Sequence, residues 1–143
     1  MTQTLTLKHG DCVEVLAEMK EDSVGSVICD PPYGLSFMEK DFDKLGNGES
    51  QQLWHRDWLN EAHRVLQPNG IIKAFSGTRT FHRLAAAMAD AGYEDIRLEA
   101  WLYGSGFPKS LNLGHDLEDW KGWGTALKPA WEPVLVGRKP SEQ

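Results

Sequence analysis

Apolar and polar positions change period several times along the chain, and each change predicts an element. Residues Thr4 to Lys8 alternate, Thr-Leu-Thr-Leu-Lys, which predicts a first strand. Past His9-Gly10-Asp11 the spacing turns helical, with Val13, Leu16, Ala17 and Met19 predicting a short helix over Cys12 to Met19 and Asp11 as its N-cap. Ser26 to Cys29 is a short, β-branched apolar run, the pattern of a strand buried on both faces of an α/β sheet. Leu53, Trp54, Trp58, Leu59, Ala62, Val65 and Leu66 predict a helix over Gln51 to Leu66, stopped by Pro68-Asn69-Gly70. His55 and His63 are assigned to the polar face of that helix. Ile71 to Phe75 reads as another buried strand. Phe81, Leu84, Ala85, Met88 and Ala89 form the core face of a helix over Arg79 to Ala91, capped by Ser76 or Thr78 and ended by Gly92. Glu94 to Tyr103 is a further strand.

This β-α-β-loop-α-β-α-β order predicts an α/β fold, three-layered, with a mostly parallel sheet and right-handed crossovers. A length of 143 residues suits one domain: an α/β core over residues 1–103 and an irregular Gly/Trp-rich tail over 104–143. In the tail, Trp120, Trp123 and Trp131 are either packing anchors or part of a substrate-facing segment with Lys109. Leu35 to Gly48 has no clear period and many charges, so it reads as a mobile loop over a site, with Phe37 and Phe42 either walling a pocket or tucked into the core.

Composition narrows the function classes. No run of about 18 apolar residues and no N-terminal apolar h-region are present, so neither a membrane span nor a signal peptide is indicated. Cys12 and Cys29 are too isolated for a disulfide framework or a metal site, and a reducing cytoplasm is expected. The net charge of −6 speaks against a broad phosphate-binding face, although Lys73, Arg79, His82 and Arg83, and in the tail Lys121, Lys128, Arg138 and Lys139, allow local basic patches.

The candidate chemistry lies where the apolar run Val27-Ile28-Cys29 meets Asp30-Pro31-Pro32-Tyr33-Gly34. Asp30 falls at the carboxyl end of the strand, where open α/β sheets place ligands. Pro31 and Pro32 have fixed φ and no N–H, so they end the ladder and leave a carboxylate and acceptor carbonyls in one space beside an aromatic ring. Two acceptors suit an exocyclic amino group of a nucleobase, whose delocalised lone pair becomes nucleophilic when its hydrogens are pulled toward tetrahedral geometry. Asp30 and the Pro31 carbonyl are the expected acceptors, and Tyr33 the expected stacking surface for a flipped base. The alternative is a plain strand-terminating turn, since Asp, Pro and Gly all favour turns.

Asp-Pro-Pro-Tyr after an apolar strand resembles motif IV of the S-adenosylmethionine (SAM)-dependent amino-methyltransferases of DNA. The likeness extends from about residue 5 to residue 140, including Tyr103 to Ser110 and the Trp131 to Pro140 segment, which resembles a further strand of that family. It implies a Rossmann-like fold, DNA as substrate, SAM as cofactor, no metal, and a bacterial or phage-encoded protein in the cytoplasm. Asp30, Pro31, Pro32 and Tyr33 are then catalytic, with adenine N6 favoured over cytosine N4 because Asp stands first in the motif. Asp11, Cys12 and Asp30 lie against the cofactor, and Phe37, Ser76, Gly77 and Lys109 against the substrate. The family's Phe-x-Gly-x-Gly loop, which holds the methionine part of SAM, is absent. The resemblance therefore covers a catalytic half, with three arrangements open: a fragment of a longer enzyme, a half completed by a partner, or identical chains that complete each other's pockets. Two other readings remain: a phage-type SAM-degrading enzyme with its pocket between subunits, and a non-catalytic module that binds DNA or a partner methyltransferase.

Overall fold

The computed structural model describes residues 4–35, 40–104, 113–115, 118–124 and 130–141. Helix α1 (Cys12–Ala17) starts at Asp11, whose carboxylate accepts from the amides of Val13 at 2.9 Å and Glu14 at 3.4 Å. Strand β1 (Val24–Cys29) follows and runs parallel to β2 (Leu66–Phe75), the two being joined through α2 (Glu49–Val65). Helix α3 (Phe81–Asp90) leads to β3 (Glu94–Leu102), and β4 (Trp131–Arg138) then inserts between β2 and β3, antiparallel to both. The sheet order is β1-β2-β4-β3.

Strands β1, β2 and β3 share one direction and β4 alone opposes them, so the sheet is mostly parallel, as the alternating pattern predicts, with one antiparallel member. Among the described residues the helices form one layer, α1 against α2 and α2 against α3. On the face they cover, laterally paired residues run Val27, Ile72, Gly137 and Cys29, Ala74, Leu135. Leu59, Ala62, Leu84, Ala87 and Met88 close on Ile72, Ala74 and Leu135 to form the core.

The opposite face is covered by side-chain pairs that reach over β4. Lys73 on β2 meets Glu99 on β3 at 2.7 Å, and the Phe75 and Trp101 rings meet edge-on at 5.8 Å. Beneath them Val136 is fully buried. The long stems of Lys73 and Glu99 thus exclude water from the centre of this face, a contribution from packing more than from charge.

Four local expectations are corrected. Thr4 to Lys8 forms no strand: Leu5 and Leu7 stand exposed, because a strand needs a neighbour to satisfy its ladder and none lies beside this segment among the described residues. Pro68 to Gly70 does not separate helix from strand but forms a bulge inside β2, between the pairs Val24–Leu66 and Ser26–Ile71, with Asn69 in the left-handed region at φ 64°. Neither Ser76 nor Thr78 caps α3; Thr80 stands at its N-cap without a side-chain bond, and the Thr80 and Phe81 amides donate to the Gly77 carbonyl instead. His55 is not on a polar face but 2 % exposed in the core, accepting from the Trp58 indole N–H at 3.3 Å. Burial lowers its pKa to about 4.

Candidate functional site

Asp30 follows the last residue of β1, and the chain leaves the sheet there through Pro31-Pro32. Two buried side chains hold what comes next. Gln51, from the first turn of α2, donates its amide N–H to the Tyr33 carbonyl at 2.8 Å. Asp43, in a 3-10 turn over Asp41–Asp43, accepts from the amides of Gly34 at 2.7 Å and Leu35 at 3.0 Å. These are charge-assisted bonds in a nearly water-free position, so they fix the loop rather than merely decorate it. Gly34 is required here: its φ is +67°, and an added Cβ would sit 2.4 Å from Gln51 Nε2. Gly77 backs the same loop, since a Cβ on it would lie 3.4 Å from the Tyr33 ring and 3.3 Å from the Leu35 side chain.

Two cavities flank the Asp30-Pro31-Pro32 loop, which lines both. One, about 530 Å³, is further lined by Tyr33, Leu35, Phe42, Asp43 and Glu132. The other, about 310 Å³, is apolar and adds Cys12, Leu16, Val27, Cys29, Trp54, Trp58 and Ala62. The loop is thus a thin partition between them.

Three residues lining the larger cavity, Asp30, Tyr33 and Glu132, are electrostatically linked with one another and with Tyr103 beside them. Burial, a hydrogen bond to Asp30 and the nearby charges of Asp30 and Glu132 push the Tyr33 phenol well above its ordinary range. Tyr103, just past β3, is pushed up to about 12 by desolvation first, then by its hydrogen bond to Glu132 on β4 and the charge of Asp30. Both rings therefore stay neutral donors at physiological pH. Cys29, behind the loop, is pushed up to about 12 by burial and by the Asp30 charge. Its thiol is accordingly no nucleophile.

Of the residues singled out from sequence, Asp30, Pro31, Pro32 and Tyr33 line the larger cavity, and Cys12 lines the smaller one with Asp30. Asp11 caps α1 and lines neither cavity. Ser76 is 2 % exposed and donates its backbone N–H to the Pro133 carbonyl, while Gly77 lies against Tyr33. Phe42 lines the larger cavity; Phe37 and Lys109 fall outside the described residues. Trp120 and Trp123 do not anchor the core: they are 48 % and 63 % exposed and pack on each other at 6.0 Å. Asp43, Gln51, Tyr103 and Glu132 were not legible. Their partners lie 8 to 18 residues away in the first two cases, and across the sheet in the others.

The basic residues are largely spoken for. Lys73 is paired with Glu99, Arg138 with Asp95, and Lys139 with Asp22. Arg79 and His82 are exposed beside Gly77, at the end of the sheet that carries Asp30.

Residues 24–143 match the N6/N4 DNA methylase family. The chain is 26 % identical over 110 residues to the type II methyltransferase M2.DpnII of Streptococcus pneumoniae, an alignment covering 68 % of this chain and 41 % of that protein. Its fold is similar to that of the cytosine-N4-specific PvuII DNA methyltransferase, with a TM-score of 0.65 at 20 % identity over 91 % of this chain and 47 % of the other. It is also similar to that of M1.HpyAVI in complex with SAM, with a TM-score of 0.57 at 18 % identity over 94 % of this chain and 55 % of the other. The chain therefore spans about half the length, or less, of the proteins it matches.

Proposed function

Because the chain belongs to the N6/N4 DNA methylase family, we propose that it is the catalytic half of a SAM-dependent DNA amino-methyltransferase, with adenine N6 as its target. The observation that carries this reading is the loop itself, a carboxylate, an acceptor carbonyl and a tyrosine presented together in a cavity roomy enough for a flipped base. Asp30 and the Pro31 carbonyl accept the two hydrogens of the amino group and localise its lone pair. Tyr33, seated on Gly77 and held through its carbonyl by Gln51, provides the stacking face. Asp43 sets the position of the loop without touching the reacting atoms.

SAM supplies a methyl group already activated on a cationic sulfur. The smaller cavity fits that end of the molecule: it is apolar, walled by Cys12 and Trp54, and bordered by Asp30. Its other side is the open edge of β1, which pairs with β2 alone among the described residues. We place the rest of the cofactor pocket beyond that edge, supplied by further residues of a longer chain, by a partner protein or by a second copy. DNA approaches over Arg79 and His82, which lie outside the ion pairs that occupy Lys73, Arg138 and Lys139.

The test is methyl transfer from labelled SAM to unmethylated DNA, with the modified nucleoside identified by mass spectrometry. N6-methyladenine is expected, and Asp30→Ala should lower the rate by about 100-fold or more, as for loss of a group aimed at the reacting centre. Full activity in Asp30→Ala would overturn the reading. N4-methylcytosine as the product would overturn the choice of base.

A further inference from the structure

The larger cavity holds a carboxylate that the amino-group clamp does not use. Glu132 lies near the start of β4, more than a hundred residues from Asp30 in sequence, and reaches the cavity because β4 runs antiparallel to β2 and begins at that strand's carboxyl end. Its backbone is rigid: Trp131 and Glu132 pair with Leu102 and Trp101, and the next residue's carbonyl accepts from the Ser76 amide at 3.0 Å. The Tyr103 hydroxyl donates to its carboxylate, and its charge acts on Tyr33 across the cavity, as that of Asp30 acts on Tyr103. Asp30, Tyr33 and Glu132 thus face one space, and Tyr103 is bonded to Glu132 from the neighbouring strand end.

Amine methylation leaves one proton too many. The amino lone pair forms the new N–C bond, the C–S pair stays with the donor's sulfur, and the nitrogen becomes cationic until one N–H bond returns its electrons. The Pro31 carbonyl is too weak a base to take that proton. We propose that Glu132, oriented by Tyr103, is a second carboxylate of the reaction that receives the proton and passes it to water at the cavity mouth, while Asp30 keeps the amino group in place. This rests on the amino-methyltransferase reading above.

The experiment compares Glu132→Gln, Glu132→Asp and Tyr103→Phe with the unaltered protein, using SAM and DNA, alongside DNA affinity measured without SAM. Glu132→Gln keeps the shape and loses the base, so kcat should fall by about 100-fold, the usual worth of a general base. KM for DNA and the donor-free affinity should stay within about threefold. Glu132→Asp should recover part of kcat, and Tyr103→Phe should lower it by about tenfold, since only orientation is lost. Unchanged kcat in Glu132→Gln with an inactive Asp30→Ala overturns this inference alone, as would a loss confined to DNA affinity. Should Glu132→Gln fail to fold, Tyr103→Phe decides, unchanged kcat overturning the inference. No methylated base from the unaltered protein, assayed with the missing half of the cofactor pocket supplied, would overturn the amino-methyltransferase reading and this inference together.

Discussion

Strands β1 and β2 lie side by side and parallel, built from similar β-branched runs, yet they end in different surroundings. Ile72 in β2 is fully buried, whereas Ile28 in β1 is 73 % exposed. β2 has a strand on each side, helices over one face and the Lys73–Glu99 and Phe75–Trp101 pairs over the other. β1 has one neighbour and, opposite the helices, no such cover among the described residues. Apolar, β-branched sequence states what environment a strand is suited to. For β2 this chain supplies that environment, and for the outer side of β1 the described residues do not. Exposed Leu5 and Leu7 repeat the point, an alternating segment without a sheet to join.

The largest expected effect compares the same side chain on the two strands. Ile72→Ala should lower the unfolding free energy by about 2–5 kcal/mol through lost burial and a cavity, and Ile28→Ala by less than about 1 kcal/mol. Equal losses in urea unfolding would mean that the β1 edge is already covered in solution.

Acid should weaken the covered layer next. His55 in α2 is held neutral, its folded pKa lowered to about 4 from 6.5 by burial. The unfolded chain takes up that proton first, so the contribution is complete above about pH 6.5 and is lost as pH falls toward about 4, roughly 3 kcal/mol in all. Urea midpoints at pH 7, 5.5 and 4.5 should fall accordingly, and His55→Gln should flatten that slope. A flat profile for the unaltered protein would contradict a neutral core imidazole.

The smallest effect concerns the loop beyond β1. Asp43→Asn weakens two charge-assisted bonds to Gly34 and Leu35 and should cost about 2 kcal/mol. Hydrogen exchange should quicken at those two amides and leave the β4 amides unchanged. Uniform quickening would show that the loop and the centre of the sheet open as one unit.

Much of this was legible along the chain. While the strand around Val134 to Val136 was expected only from the family resemblance, the Asp11 cap, the apolar faces of α2 and α3 and the Gly92 stop at φ +87° follow from signals a few residues long. So does the central loop, because proline geometry acts on its immediate neighbours. His55 was misread because its pattern gave no sign that α3 and the sheet close over both sides of α2.

The sequence by itself determined the elements and the Asp-Pro-Pro-Tyr loop, since capping, periodicity and fixed φ act within one or two turns of chain. Only the tertiary structure decided the direction of β4, the burial of Asp43 and Gln51 behind the loop, and the meeting of Tyr103 and Glu132 with Asp30. Those contacts join residues 8 to 18 positions apart behind the loop and tens of positions apart across the sheet, and they form only where the fold brings them together. No local pattern carries that information, because a side chain's partner across a sheet is chosen by register and not by its neighbours in sequence.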